Sequence, residues 1–237
     1  MAKIIGVMGD TGYGKSLSPV VPPDGIIKKD SYGGLNLDET VIFNLDDKDL
    51  PFETYINLYP KWKEIFGDFI EKRVLTPEIE QFIPMLKKVL EKKEIKNIII
   101  DTLSLGMFDY RMKQEHVKGF EKWNKLNIDF WNILNKIRKD KKSDKFVWIF
   151  YHIQESKDRE GNTVYKTKTE GNLLDKIPEK ITTNMFFATI DNGKYVFETQ
   201  SNGTTAKNPP LLFDFKIPNS LKLIEDTLRG KKLYTTK

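Results

Sequence analysis

The chain has 237 residues, 39% hydrophobic and 31% charged, as expected of a soluble globular protein with one domain over 1–237 and a sizeable core. With no cysteine and two histidines, it excludes disulfides and thiolate metal sites and leaves little for a histidine-rich one. No apolar run approaches the ~20 residues that span a bilayer and no charged-then-apolar signal peptide opens the chain, so an intracellular protein with no membrane partner is expected.

Residues 3–8 (KIIGVM) read as a buried strand, followed by GDTGYGKS at 9–16. The proline- and glycine-rich stretch 17–39 reads as a loop excursion. TVIFNL (40–45) is a second strand, ending in Asp46 and Asp47. Helical spacing covers 61–73 and 78–93; in the second, Ile79, Phe82, Ile83, Leu86, Val89 and Leu90 share one face behind Thr76-Pro77-Glu78. KNIIID (96–101) is a short apolar strand ending on an acid. Between Phe108 and Lys139 the pattern predicts a long helix with Phe120, Trp123, Phe130, Trp131, Leu134 and Ile137 as its inner stripe. FVWIFYHI (146–153) is another apolar strand, and 154–182 a mobile, basic loop or ribbon. Two β-rich runs around Asn192-Gly193 predict a hairpin over 184–200. A last helix covers 219–229, followed by a basic tail at 230–237.

Apolar strands alternating with helices imply an α/β fold: a mainly parallel sheet flanked by helices, extended at one edge by the antiparallel C-terminal hairpin. The net charge of +5 and pI near 9.0 are compatible with a polyanionic partner. Only five of the 39 basic residues are arginine: Arg73, Arg111, Arg138, Arg159 and Arg229. Lysine-heavy usage suits phosphate-backbone contacts, and equally a genome rich in lysine codons.

Gly9, Asp10, Thr11, Gly12, Tyr13, Gly14, Lys15 and Ser16 fit G-x-x-x-x-G-K-[ST], the phosphate-binding loop, directly after a strand. Glycines let successive amides curl into an anion nest, and the start of a following helix would add its positive end. Lys15 would reach the β- and γ-phosphates of ATP, and Ser16 would offer its hydroxyl to Mg²⁺. Pro19, Pro22 and Pro23 predict that this helix is short or kinked. Asp101 ends NIIID where the Mg²⁺-holding acid of a neighbouring strand belongs, with Thr102 beside it. Hydrolysis needs a group that orients the attacking water, and Asp46 and Asp47 are the candidates. His152, ending FVWIFYH, is a candidate γ-phosphate sensor.

The order GDTGYGKS, TVIFNLDDKDLPF, NIIIDTLS, GFEKWNKL, VWIFYHIQE and YVFETQSNGTTAKNPPLLFD, over roughly residues 3 to 228, resembles phage-encoded AAA-type ATPases of the RecA-like P-loop superfamily. Some members of that group are single-strand annealing or recombination ATPases. The resemblance implies a RecA-like ATPase in the bacterial host cytoplasm that assembles as a homo-oligomer on single-stranded DNA, with a single-strand-binding protein as a further partner. It implies triphosphate bound at Gly9 to Ser16, Mg²⁺ at Ser16 and Asp101, Asp46 as the catalytic acid and His152 as sensor. Lys207 in TTAKNP matches the position at which RecA-like filaments present a cation to a neighbour's γ-phosphate. It also implies DNA contacts on 154–182, from Lys157, Arg159, Lys166, Lys168, Lys176 and Lys180, with Tyr165 as a stacking ring.

Two other functions share the phosphate loop: a nucleotide-kinase-like phosphotransferase and an ATP-gated packaging motor. Five scattered arginines fit poorly with the arginine-rich lid of such kinases. A GTPase is disfavoured because no N-K-x-D follows a late strand.

Overall fold

The computed structural model describes residues 3–113, 121–140, 142–169, 180–209 and 211–230, with the side chains of 121–127 outside that description. The strands are β1 (Lys3–Met8), β2 (Thr40–Asn44), β3 (Val74–Leu75), β4 (Asn97–Asp101), β5 (Phe146–Tyr151), β6 (Ile153–Lys157), β7 (Thr163–Thr167), β8 (Asn184–Asp191), β9 (Lys194–Glu198) and β10 (Lys216–Pro218). The helices are α1 (Pro51–Leu58), α2 (Pro60–Arg73), α3 (Ile79–Glu91), α4 (Leu103–Lys113), α5 (Glu121–Lys139) and α6 (Leu221–Leu228).

An eight-stranded sheet runs in the order β10-β9-β8-β1-β5-β4-β2-β3. The six strands from β8 to β3 are parallel to their neighbours, and β9 and β10 extend the edge antiparallel. This is the expected α/β architecture with its C-terminal hairpin. The strand carrying the glycine-rich loop (β1) and the strand ending on Asp101 (β4) are separated by β5, the strand that leads to His152. That interposed strand sets the ends of β1, β5 and β4 side by side along one edge of the sheet.

The central strands are apolar on both sides because both faces are covered. Ile4, Met8, Phe43, Ile98, Ile100 and Ile149 meet α3, α4 and α5 on one face. Ile5, Val7, Ile42, Ile99, Trp148 and Phe150 meet α1, α2, α6 and the 17–35 loop on the other. The loop excursion is thus a packed layer. Tyr32 sets its ring edge-on to Trp62 and Phe66 and donates to the Leu35 carbonyl (2.6 Å), while Trp62 Nε1 donates to the Lys28 carbonyl (3.1 Å).

The long helix expected between Phe108 and Lys139 is α5, over Glu121–Lys139; α4 ends at Lys113, and 114–120 lie outside the described residues. Phe130, Leu134 and Ile137 are buried and Trp131 packs beside them, whereas Phe120 and the Trp123 side chain lie outside the described residues. The hairpin turns at Asn192 (φ 49°) and Gly193 (φ 76°), the pair of positive φ values a type I′ turn requires. At the opposite end of the sheet Asn97 joins two buried groups: its Oδ1 accepts from Trp148 Nε1 (3.0 Å) and its Nδ2 donates to Glu225 (3.1 Å). This ties α6 across the strands.

Candidate nucleotide site

Residues 9–16 leave the C-terminal end of β1, tied at the start by Gly9 N–H donating to the Tyr151 carbonyl of β5 (3.2 Å). Gly9 passes so close to β8 that a Cβ would stand 2.8 Å from the Ala188 carbonyl. Gly12 and Gly14 have φ of +82° and +80°, a conformation glycine adopts without steric cost. The expected helix after this loop does not form; 11–20 are turns, with one i→i−4 bond from Ser18 to Gly14 (3.1 Å). Proline supplies the reason: Pro19 disfavours helical Ser18, and Pro19, Pro22 and Pro23 have no N–H to donate. Any anion would therefore meet the loop's own amides without a helix behind them.

The two glycines differ in what surrounds them. A Cβ at Gly12 meets open space, whereas at Gly14 it would stand 2.4 Å from Asn219 Nδ2 and 2.9 Å from the Tyr195 ring. Gly12→Ala should therefore cost only the backbone strain of about 1–2 kcal/mol, and Gly14→Ala distinctly more. Equal thermal melting of the two variants would contradict this reading.

Lys15 is 5% exposed, and its ammonium donates to the Gly9 (2.8 Å) and Asp10 (2.9 Å) carbonyls. An ammonium has three donors, so one remains for a ligand. Burial lowers its pKa, opposed by Asp101, Asp10 and Asp46. Ser16 lies against the Asp101 carboxyl, whose buried Oδ1 has no hydrogen-bond partner. Burial, reinforced by Asp46, pushes Asp101 up to about 7 against the pull of Ser16, Lys15 and Lys48.

Asp46 and Asp47 separate. Asp46 faces Lys15 and Asp101 across a cleft of about 270 Å³. Its Oδ1 accepts from Thr102 N–H (2.9 Å) and Thr102 Oγ1 (2.6 Å). Asp47, at φ 48°, lines a separate depression with Thr76, Glu78 and Asp109. His152 lines the cleft and is pushed below its ordinary pKa by burial first and by Lys15 next, so at neutral pH it offers a neutral imidazole. Lys207 does not line this cleft; it is exposed beside β8, paired through its backbone with Met185 (2.9 and 3.0 Å).

The residues present fit Mg²⁺. That ion takes one or two carboxylates, hydroxyls and phosphate oxygens rather than a full protein cage. Ser16 beside the unpartnered Oδ1 of Asp101 supplies such a set, and among the described residues no group of three or more His, Cys, Asp or Glu side chains is placed to hold a metal ion by itself.

Two further residues line the cleft and a third buttresses its loop. Lys48 stands on the wall between β2 and α1, and Tyr195 of β9 at the mouth. Asn219, from the turn before α6, donates to the Gly14 carbonyl (2.9 Å). Lys48 had a sequence signal, a base among acids just past a strand. Asn219 had none, since 205 residues separate it from Gly14.

On the basic stretch, 153–157 and 163–167 form an antiparallel ribbon. Tyr165, expected as a stacking ring, lies against Phe187 with ring centroids 6.3 Å apart, because β7 folds back onto β8. Lys176 lies outside the described residues, as does the tail beyond residue 230. Among the described residues no helix is long and apolar enough to cross a membrane.

No protein-family model matches this chain, and no curated protein matches it. Among solved structures it is similar to a KaiC-like protein from the hyperthermophilic archaeon Pyrococcus horikoshii, with 14% identity over 82% of this chain and 76% of that one and a TM-score of 0.45.

Proposed function

We propose that this protein binds Mg-ATP in the cleft and hydrolyses it in a cycle coupled to single-stranded DNA, as an oligomeric recombination or annealing ATPase. The observation that carries the nucleotide reading is the Lys15 cradle, with two of its ammonium donors on Gly9 and Asp10 and Ser16 placed against Asp101. Backbone amides of 12–16 would surround the phosphates while Lys15 neutralises them. Ser16 and Asp101 would hold Mg²⁺, which draws charge from the phosphate oxygens. Asp46, steadied through Oδ1 by Thr102, retains Oδ2 to orient a water for attack on the terminal phosphorus. A neutral His152 would hydrogen-bond the terminal phosphate without adding charge.

The β6–β7 ribbon supports the DNA half. It starts directly after His152, and Ser104 clasps its two ends, accepting from His152 N–H (3.0 Å) and donating to the Lys168 carbonyl (2.6 Å). Lys157, Arg159, Lys166 and Lys168 lie on or beside it, suited to a phosphate backbone. Lys207, outside its own cleft, would act only on a neighbour's nucleotide.

The test is ATP hydrolysis measured with and without single-stranded DNA over a range of salt. Stimulation that fades as salt rises supports the reading; phosphate transfer to a nucleoside monophosphate overturns it. Asp46→Asn should lower turnover by about 10²–10⁴-fold with nucleotide affinity retained, and Lys207→Ala should lower turnover with affinity in an isolated subunit unchanged. Undiminished turnover in either variant removes that residue from the mechanism.

A further inference from the structure

None of the chain's five arginines lines the cleft among the described residues, and Arg229 is held on Glu225 (3.0 Å) at the far end of the sheet. The described lining contains two cations, Lys15 and Lys48. Lys15 has already committed two donors to the loop's carbonyls, so one N–H is left for a phosphoryl group that presents three charged oxygens.

Lys48 faces the phosphate loop from the opposite wall. Among the described residues its ammonium makes no hydrogen bond or ion pair, although Asp46, Asp47 and Asp49 surround it in sequence. Its backbone is held at its own carbonyl and again two residues downstream. Asn44 Nδ2 donates to the Lys48 carbonyl (2.8 Å), and two residues on, Leu50 N–H donates to Glu53 Oε1 (3.1 Å) while Pro51 starts α1. The Lys48 charge is felt by Asp101 and His152, the groups that also feel Lys15.

An unpaired lysine held this way opposite a phosphate loop has a specific use. A diphosphate seated on the loop ends near Lys15, whereas a triphosphate extends one phosphoryl group toward the far wall. We propose that Lys48 is a second phosphate-binding residue of the cleft, engaging the terminal phosphoryl group from the β2–α1 wall and so distinguishing a nucleoside triphosphate from a diphosphate. This rests on the nucleotide reading above and adds a specificity-determining residue in the same subunit.

The experiment is titration of the full chain with Mg-ATPγS and Mg-ADP, using Lys48→Gln, Lys48→Arg and Lys15→Ala beside the parent. Lys48→Gln should weaken ATPγS at least about tenfold while ADP stays within about twofold. Lys48→Arg keeps the charge and should stay close to the parent for both. If Lys48→Gln changes neither affinity, or both by the same factor, the proposal is overturned. A parent that binds both nucleotides and loses them in Lys15→Ala leaves the nucleotide reading intact in that event; a parent that binds neither overturns both. An unchanged melting temperature for Lys48→Gln, an exposed position, separates a binding effect from misfolding.

Discussion

Lys15→Ala is expected to weaken Mg-ATP binding at least about a hundredfold, or about 2.8 kcal/mol. The alanine removes the one buried cation of the loop, and with it the donors that bridge two loop carbonyls to the phosphates. The ammonium is already desolvated, so its attraction for phosphate is weakly screened and it needs little rearrangement to bind. The same change leaves the Gly9 and Asp10 carbonyls without that partner, at about 1–3 kcal/mol for a buried acceptor. The variant should therefore melt at a lower temperature as well as bind poorly. Titration with nucleotide below the variant's own melting point separates the two effects; unchanged affinity there would refute the phosphate-loop assignment.

Asp101→Asn is expected to raise the stability of the nucleotide-free protein at and above neutral pH while abolishing its Mg²⁺-dependent nucleotide binding. Burial raises the Asp101 pKa from 3.8 to about 7. Between those values the folded chain keeps a proton that the unfolded chain has released, so stability is highest in acid and is lost as pH rises through about 7. The shift corresponds to about 4 kcal/mol. Asparagine does not titrate, so its melting temperature minus the parent's should grow from pH 5 to pH 8. For a chain of this length about 2–4 °C accompanies each kcal/mol. A difference that is flat with pH would show that Asp101 ionises freely in the folded protein. The penalty has a functional sense: a carboxylate that is costly to ionise alone becomes favourable beside a divalent cation.

Local sequence sufficed wherever one segment carries its own constraint. NIIID and FVWIFY read as central strands because both faces are buried and no alternation is needed to hide them. Asn192-Gly193 specified its turn because both residues must take positive φ. GDTGYGKS specified its bend for the same reason at Gly12 and Gly14. The absence of a following helix was only half legible: prolines forecast a short or kinked helix, and the chain instead continues in turns, because Leu17 and Val20 pack into the layer that Tyr32, Trp62 and Phe66 complete.

Choices among distant groups were settled only when the chain closed. Asp46 and Asp47 are equivalent in sequence, yet the β2–β4 register sets Asn44 beside Asp101, so that the next acid meets Thr102 and the one after turns away. Asn219 reaches Gly14 only because β10 and α6 pack over the loop. Tyr165 meets Phe187 only because the ribbon folds back on β8. By itself the sequence determined the central strands β1, β2, β4 and β5, the hairpin, the glycine turn and the identity of its lysine and serine, since backbone conformation and burial period are written residue by residue. The tertiary structure decided which acid, which second cation and which buttress share the cleft, because burial and charge coupling depend on through-space distance that no local pattern encodes.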